Sequence, residues 1–258
     1  VKYNYHTHTF RCHHASGTEE EYVQRAIAGG VTHMGFSDHF PFCFPNGLES
    51  SYRVSVSEVP LYRAAIERLR EKYKDKIQIH LGFEMEYYPE FFEEMRQNAA
   101  DYGAEYLILG QHFLKPECYP DAIHSTWDNK PEAELATFAA LEVDAIRTGA
   151  FTYVAHPDIY TFNGDPAYYD REMRKVCVAS RECNVPLEIN FLGIRTNRFY
   201  PHDDFWRIAG EEGAPVVFGF DAHEVRHACD DDSYEKAYQL VETYHLNWQE
   251  NVTLKPLK

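Results

Sequence analysis

The chain has 258 residues, with 25 basic against 41 acidic side chains and a formal charge of −16. Hydrophobic residues at 44% and charged residues at 26% are ordinary globular proportions and exclude a disordered chain. So acidic a balance excludes duplex DNA or an anionic membrane as the main partner, while a local basic pocket for one phosphate stays compatible with it.

β-prone runs alternate with helical stretches along the chain. A first strand covers residues 2–8. Thr18-Glu19-Glu20-Glu21 reads as a capping box opening a helix that ends at Gly29-Gly30. A strand follows at 32–39, then an amphipathic helix at 57–74 with Leu61, Ala65 and Leu69 on its apolar face. Next come a strand at 77–86, a helix at 89–102 opened by Pro89, a strand at 105–112 and a helix at 131–148. The remaining strands lie at 152–156, 186–191 and 215–223, with helices at 168–183, 203–210 and 233–245. These make seven strand-helix units, which suit right-handed βα connections. No glycine-rich phosphate loop follows the first strand, which argues against a doubly wound open sheet. The expectation is an α/β fold, a closed or nearly closed seven-stranded barrel, forming one domain over 1–258.

Nearly every predicted strand ends in a metal-type ligand. The ends carry His6-Thr7-His8, Asp38-His39, Glu84 with Glu86, His112, His156, Asn190, and Asp221-Ala222-His223. Barrel enzymes do their chemistry at the C-terminal rim of the strands, so separate segments aim polar groups at one place. Residues i and i+2 of a strand share a face, which lets His6 with His8, and Asp221 with His223, bind one ion. His6, His8, His14, His39, Glu84, His112, His156, Asp221 and His223 give nine candidate ligands. One catalytic zinc takes about three protein ligands and a water, so nine suit three ions, with Glu84 bridging two. Oxygen and nitrogen donors point to Zn, Mn or Fe, and the absence of a placed thiolate argues against a cysteine cage. His33, His80, His227 and His245 lie off the strand ends and read as structural.

The run His6-Thr7-His8-Thr9 with Cys12-His13-His14, then Phe36-Ser37-Asp38-His39-Phe40-Pro41, Leu81-Gly82-Phe83-Glu84, Gly110-Gln111-His112-Phe113, Ala155-His156-Pro157-Asp158, Leu187-Glu188-Ile189-Asn190 with Gly193-Ile194-Arg195, and Gly219-Phe220-Asp221-Ala222-His223 resembles the polymerase-and-histidinol-phosphatase (PHP) family. Within it the resemblance is to the monofunctional histidinol-phosphatase branch. It departs at Asn4, where the family often has Asp, and at Gln111, where Val is expected. The resemblance implies a distorted (β/α)7 TIM-like barrel with a trinuclear divalent centre. One ion would take His6, His8, Glu84 and Asp221, a second Glu84, His112 and His156, and a third His14, His39 and His223. His14 is preferred to His13 because the family's histidine falls six residues after the second histidine of HxH.

The implied activity is hydrolysis of a small phosphate monoester, histidinol phosphate above others, by a water that bridging ions activate. Arg195, which follows the sixth strand, is the favoured phosphate fork, with Arg53 and Arg198 behind it. Glu84 and Asp221 serve catalysis through the ions, and Asp158 is the candidate acid for the leaving group. His124 and His202 are candidates for the mouth, and Phe42, Phe44 and Tyr200 for an apolar wall. Another small phosphate ester, a barrel nuclease or amidohydrolase, and a non-catalytic metal-binding module are the rival readings. The trio His14, His39 and His223 is what the nuclease and amidohydrolase chemistries do not need.

No run approaches the ~20 apolar residues of a membrane span, and the opening residues lack the apolar core of a signal peptide. Cys12, Cys43, Cys118, Cys177, Cys183 and Cys229 contain no CxxC pair and read as reduced thiols of a cytoplasmic protein. The oligomeric state is not legible.

Overall fold

The computed structural model describes residues 1–126 and 131–257. Its strands are all parallel. A four-stranded sheet runs in the order β1 (Tyr3–Asn4), β2 (His33–Phe36), β3 (Gln78–Met85), β4 (Tyr106–Leu109), and a three-stranded sheet in the order β5 (Leu187–Asn190), β6 (Pro215–Gly219), β7 (Asn247–Trp248). The segment 152–155 joins the two. Val154 bridges Leu109 on one side and Leu187 on the other. At the opposite seam Thr7 bridges Ala222, and His8 N–H donates to the Ala222 carbonyl at 3.0 Å. Following chain order without a switch point, the curled parallel sheet closes as the seven-membered barrel expected, with β7 as an unforeseen addition beside β6.

Eight helices surround it among the described residues: α1 (Glu19–Ala28), α2 (Val59–Tyr73), α3 (Phe92–Asp101), α4 (Glu132–Thr148), α5 (Pro166–Cys183), α6 (Phe191–Thr196), α7 (Asp203–Glu212) and α8 (Asp231–Tyr244). The Thr18–Glu21 capping box opens α1 as expected. The apolar face of α2 differs from the expected one. Val59, Tyr62, Ile66 and Leu69 are buried, whereas Leu61 is 60% exposed. Tyr62, Ile66 and Leu69 follow the i, i+4, i+7 stripe, and Leu61 falls off it. The short α6 was not foreseen.

Side-chain alternation separates two cores. Leu107 and Leu109 pack into the layer beneath the helices. Tyr106 and Ile108 join Tyr5, Tyr153, Ala155 and Val217 in a separate cluster that fills the barrel floor. Tyr106 crosses this floor and donates to the carbonyls of Tyr5 at 2.7 Å and Phe36 at 3.1 Å. Gly82 leaves room for its ring, since a Cβ there would lie 2.3 Å from it. Glu84 stands two residues further along the same face, so the alternation that plugs the floor also lifts a carboxylate to the mouth.

Candidate metal centre

Asn4 sets the first ligand segment. Its Oδ1 accepts from the N–H groups of His6 and Phe220, and its Nδ2 donates to Thr7 Oγ1. This ties β1 to the end of β6 where His6 and His8 leave the ladder. Glu188 then fixes His6: Oε1 lies 2.7 Å from His6 Nδ1, turning Nε2 to the cavity, while Oε2 accepts from His156 N–H and Asn190 Nδ2. Two glycines make room for the carboxylates. A Cβ at Gly219 would lie 1.6 Å from Glu188 Oε1, and one at Gly110 would lie 2.0 Å from Glu84 Oε1.

Five imidazoles converge on Glu84, which is 1% exposed. Oε1 lies 2.8 Å from His156 Nε2 and 3.4 Å from His112 Nε2. Oε2 lies 3.1 Å from His39 Nδ1, 3.3 Å from His8 Nε2 and 3.6 Å from His6 Nε2. Asp221 Oδ1 approaches His223 Nδ1, His8 Nε2 and His6 Nε2 at 3.2, 3.4 and 3.6 Å. His6 and His8 face each other through their Nε2 atoms at 3.2 Å, and His14 and His223 do so at 3.0 Å. All nine candidate ligands therefore share one cluster. His13 lies outside it, 47% exposed and 3.9 Å from Glu58.

The donor chemistry fits divalent cations. Glu84 Oε2, Asp221 Oδ1 and His39 Nδ1 are buried with no hydrogen-bond geometry satisfied, despite neighbours at 3.1 to 3.6 Å. Polar atoms packed so closely yet unbonded need a cation among them. His6–His8–Asp221, His6–Glu84–His156 and His8–His39–His223 each bring three ligand atoms within 4.8 Å of one another. Burial opposes the charge of Glu84, but His112, His39 and His6 hold its pKa well below the carboxylate range. Burial likewise opposes Asp221, which His6, His223 and His8 keep ionised. Burial pushes His39 well down, and burial with His223 and His8 brings His14 to about 4. Without a cation the same carboxylates raise His6 to about 10, and His8 and His112 above the ordinary imidazole value, against the opposing effect of burial. Anionic carboxylates and neutral imidazoles are the ligating forms, so binding a cation would displace those protons.

Sequence reasoning missed several supports. Glu188 is the partner of His6, and its signal was the i, i+2 relation to Asn190. Asp38 accepts from Thr9 N–H and Oγ1. Cys12 was not expected at the centre, yet its buried Sγ lies within 4.8 Å of ligand atoms of His14 and His223. It donates to the Thr9 carbonyl at 3.0 Å.

A cavity of about 500 Å³ opens over the cluster, walled by Tyr52, Phe113, His124, Thr126, Ile159, Leu192, Arg198 and Tyr200. A wider groove of about 720 Å³ between α4 and α5 contains no histidine. The arginine at the mouth is Arg198, whose Nη1 donates to Tyr200 OH at 3.0 Å. Arg195, favoured from the sequence, points elsewhere: its guanidinium donates to the carbonyls of Phe220 and Asp221 and pairs with Asp230. Arg53 does not wall the cavity. It is 1% exposed, and its donors serve Glu86, Glu117 and the Phe40 carbonyl. Asp158 does not line the cavity either. Its Oδ2 accepts from His202 N–H at 2.6 Å and Trp206 Nε1 at 2.9 Å, and burial raises its pKa to about 7. Phe42 and Phe44 pack on Phe91 in the core, and His202 packs on Phe199 and Tyr169 away from the mouth. His33 and His80 hydrogen-bond to Thr32 and Glu105, away from the centre.

Comparison with known proteins identifies the family. The PHP domain profile matches residues 4–191. The histidinol-phosphatase of Bacillus subtilis is 26% identical over 253 residues, covering 85% of this chain and 92% of its own. That of Lactococcus lactis is 28% identical over 244 residues, covering 86% and 84%. The crystal structure of the Lactococcus lactis histidinol phosphate phosphatase, complexed with zinc, L-histidinol and phosphate, superposes with a TM-score of 0.73 at 21% identity, covering 98% of this chain and 97% of that one. With a closed parallel barrel, a buried His/Glu/Asp cluster at its mouth and a profile match over most of its length, the chain belongs to the PHP domain family, as a metal-dependent phosphatase related to the histidinol-phosphatases.

Proposed function

We propose that the protein hydrolyses histidinol phosphate to histidinol and phosphate, a step of histidine biosynthesis, in the reducing cytoplasm. The observation that carries the reading is the five imidazoles around Glu84, with Asp221 opposite. His6, His8, Glu84 and Asp221 would hold one divalent cation, Glu84, His112 and His156 a second, and His14, His39 and His223 a third. Zinc is favoured, with manganese and iron as alternatives. Such cations acidify water and neutralise charge on phosphoryl oxygens. Curated relatives named histidinol-phosphatase support the substrate, and six free cysteines support the compartment.

The chain's own residues supply the rest. Arg198 at the mouth binds phosphate oxygens through its guanidinium fork. Tyr52, Phe113 and His124 present ring faces and edges to the organic part. His124 Nδ1 accepts from Thr126 N–H at 3.2 Å, which leaves the ring proton on Nε2. A hydrogen bond from that Nε2–H is our candidate for steadying the leaving oxygen. A panel on the zinc-, manganese- and iron-loaded protein tests the substrate, with histidinol phosphate beside sugar phosphates, nucleotides and phosphotyrosine. Histidinol phosphate is expected to exceed the others in kcat/KM by about a hundredfold, of the order that apolar contacts to the organic part can achieve. Equal or higher turnover of another ester would replace it with that substrate.

A further inference from the structure

Behind His112 runs a buried chain of charge that the proposed chemistry does not use. His112 Nδ1 donates to Glu86 Oε1 at 3.0 Å. Glu86 Oε2 takes Arg53 Nη2 at 2.6 Å. Arg53 continues to Glu117, with Nε at 3.0 Å and Nη2 at 2.6 Å from Oε1. Tyr88 OH donates to Glu117 Oε2 at 2.8 Å, and Tyr52 OH to Oε1. Arg53 and Glu86 are 1% exposed and Glu117 7%. Glu117 belongs to loop 113–126, whose Phe113, His124 and Thr126 wall the cavity. Phe113 and His124 are joined by an antiparallel bridge.

Two carboxylates and one guanidinium leave a net negative charge behind an imidazole whose Nε2 faces Glu84. A carboxylate accepting from Nδ1–H makes Nε2 a stronger donor to a cation. Arg53 opposes this by drawing on Glu86. Glu117 takes a share of Arg53 and so leaves Glu86 to His112. With Glu117 neutral, Arg53 turns wholly to Glu86 and the chain carries no net charge.

We propose that Glu117 is a positioning residue that couples loop 113–126 to cation binding on the His112 side of the centre. The coupling is reciprocal: what tightens the cation steadies the loop, and the loop's placement tightens the cation. This rests on the metal-dependent reading of the centre, not on the identity of the ester.

The test is a Zn²⁺ titration against a chromogenic chelator for wild type, Glu117→Gln and Glu90→Gln, with amide hydrogen exchange of residues 113–126 with and without Zn²⁺. Glu90 accepts from Tyr119 OH of the same loop at 2.9 Å but does not touch Arg53. In Glu117→Gln one of the zinc ions should bind about tenfold less tightly, and zinc-dependent protection of the loop should fall. Glu90→Gln should match wild type in both. Tyr88→Phe, which keeps the charge and removes one hydrogen bond, should show a smaller loss in the same direction, and it serves if Glu117→Gln does not fold. Wild-type zinc affinity in folded Glu117→Gln, or an equal loss in Glu90→Gln, would overturn the coupling. Neither readout uses a phosphate ester, so failure to turn over histidinol phosphate is a separate result.

Discussion

Asp221 and His156 are non-glycine residues at φ of 45° and 33°, in the left-handed region. That conformation costs energy and persists where surrounding contacts hold it. Arg195 supplies such contacts by donating to the carbonyls of Phe220 and Asp221. Arg195→Ala should therefore loosen a ligand segment, lowering stability by about 1–3 kcal/mol and zinc content with it. Arg198→Ala should leave zinc content and unfolding unchanged and raise KM about tenfold, a loss of ~1.4 kcal/mol of ester binding. Zinc analysis and steady-state kinetics on the two variants separate the roles; a KM effect confined to Arg195→Ala would reverse them. The nine clustered donors were legible because each sits at a predicted strand end or in a spaced motif. The two arginines were not, because helix direction decides them. α6 ends at Thr196 and is capped by Asn197, whose φ of 51° redirects the chain, so Arg195 reaches back under Asp221 while Arg198 emerges at the mouth.

The strands are shorter than sequence periodicity suggested. β6 ends at Gly219, two residues before Asp221, and the fifth barrel member is the one residue Val154, bridged on both sides. Apolar runs show where a strand begins, but the ligand turns that end it have no hydropathy signal. α4 carries a feature that periodicity does show poorly. Glu142 faces the core, fully buried, with both carboxylate oxygens unpartnered among the described residues. Burial, aided by Asp158, pushes its pKa well above the usual range. Folded protein then binds more protons than unfolded protein, so Glu142 costs stability progressively as pH rises above the unfolded value near 4.3. Glu142→Gln should raise Tm at pH 8 by roughly 2–12 °C, from about 1–3 kcal/mol at 2–4 °C per kcal/mol, and should change little near pH 4. Thermal unfolding of both proteins across that range checks the sign; a gain at pH 4 that vanishes at pH 8 would contradict it.

Closure of the barrel brings ligands from residue 6 to residue 223 together, so cations that bind the folded centre stabilise the whole molecule. At a thousandfold excess over its Kd each ion contributes about 4 kcal/mol. Chelation should therefore lower Tm by about 8–16 °C for each such ion lost, and restoring zinc should recover it, as a melt before and after dialysis would show. Barrel class was legible from seven alternating units. The seam was not, since Thr7 and Ala222 lie 215 residues apart and neither is distinctive in sequence. Among the described residues no helix is long and apolar enough to cross a membrane.

Elemental analysis of the purified chain beside Glu84→Gln bears most directly on the claim that Glu84 organises a multinuclear centre. The account predicts about three divalent ions per wild-type chain, with loss of at least one ion and of phosphatase activity in the variant. A wild-type chain that takes up fewer than one ion, or a Glu84→Gln chain with undiminished metal, would contradict it.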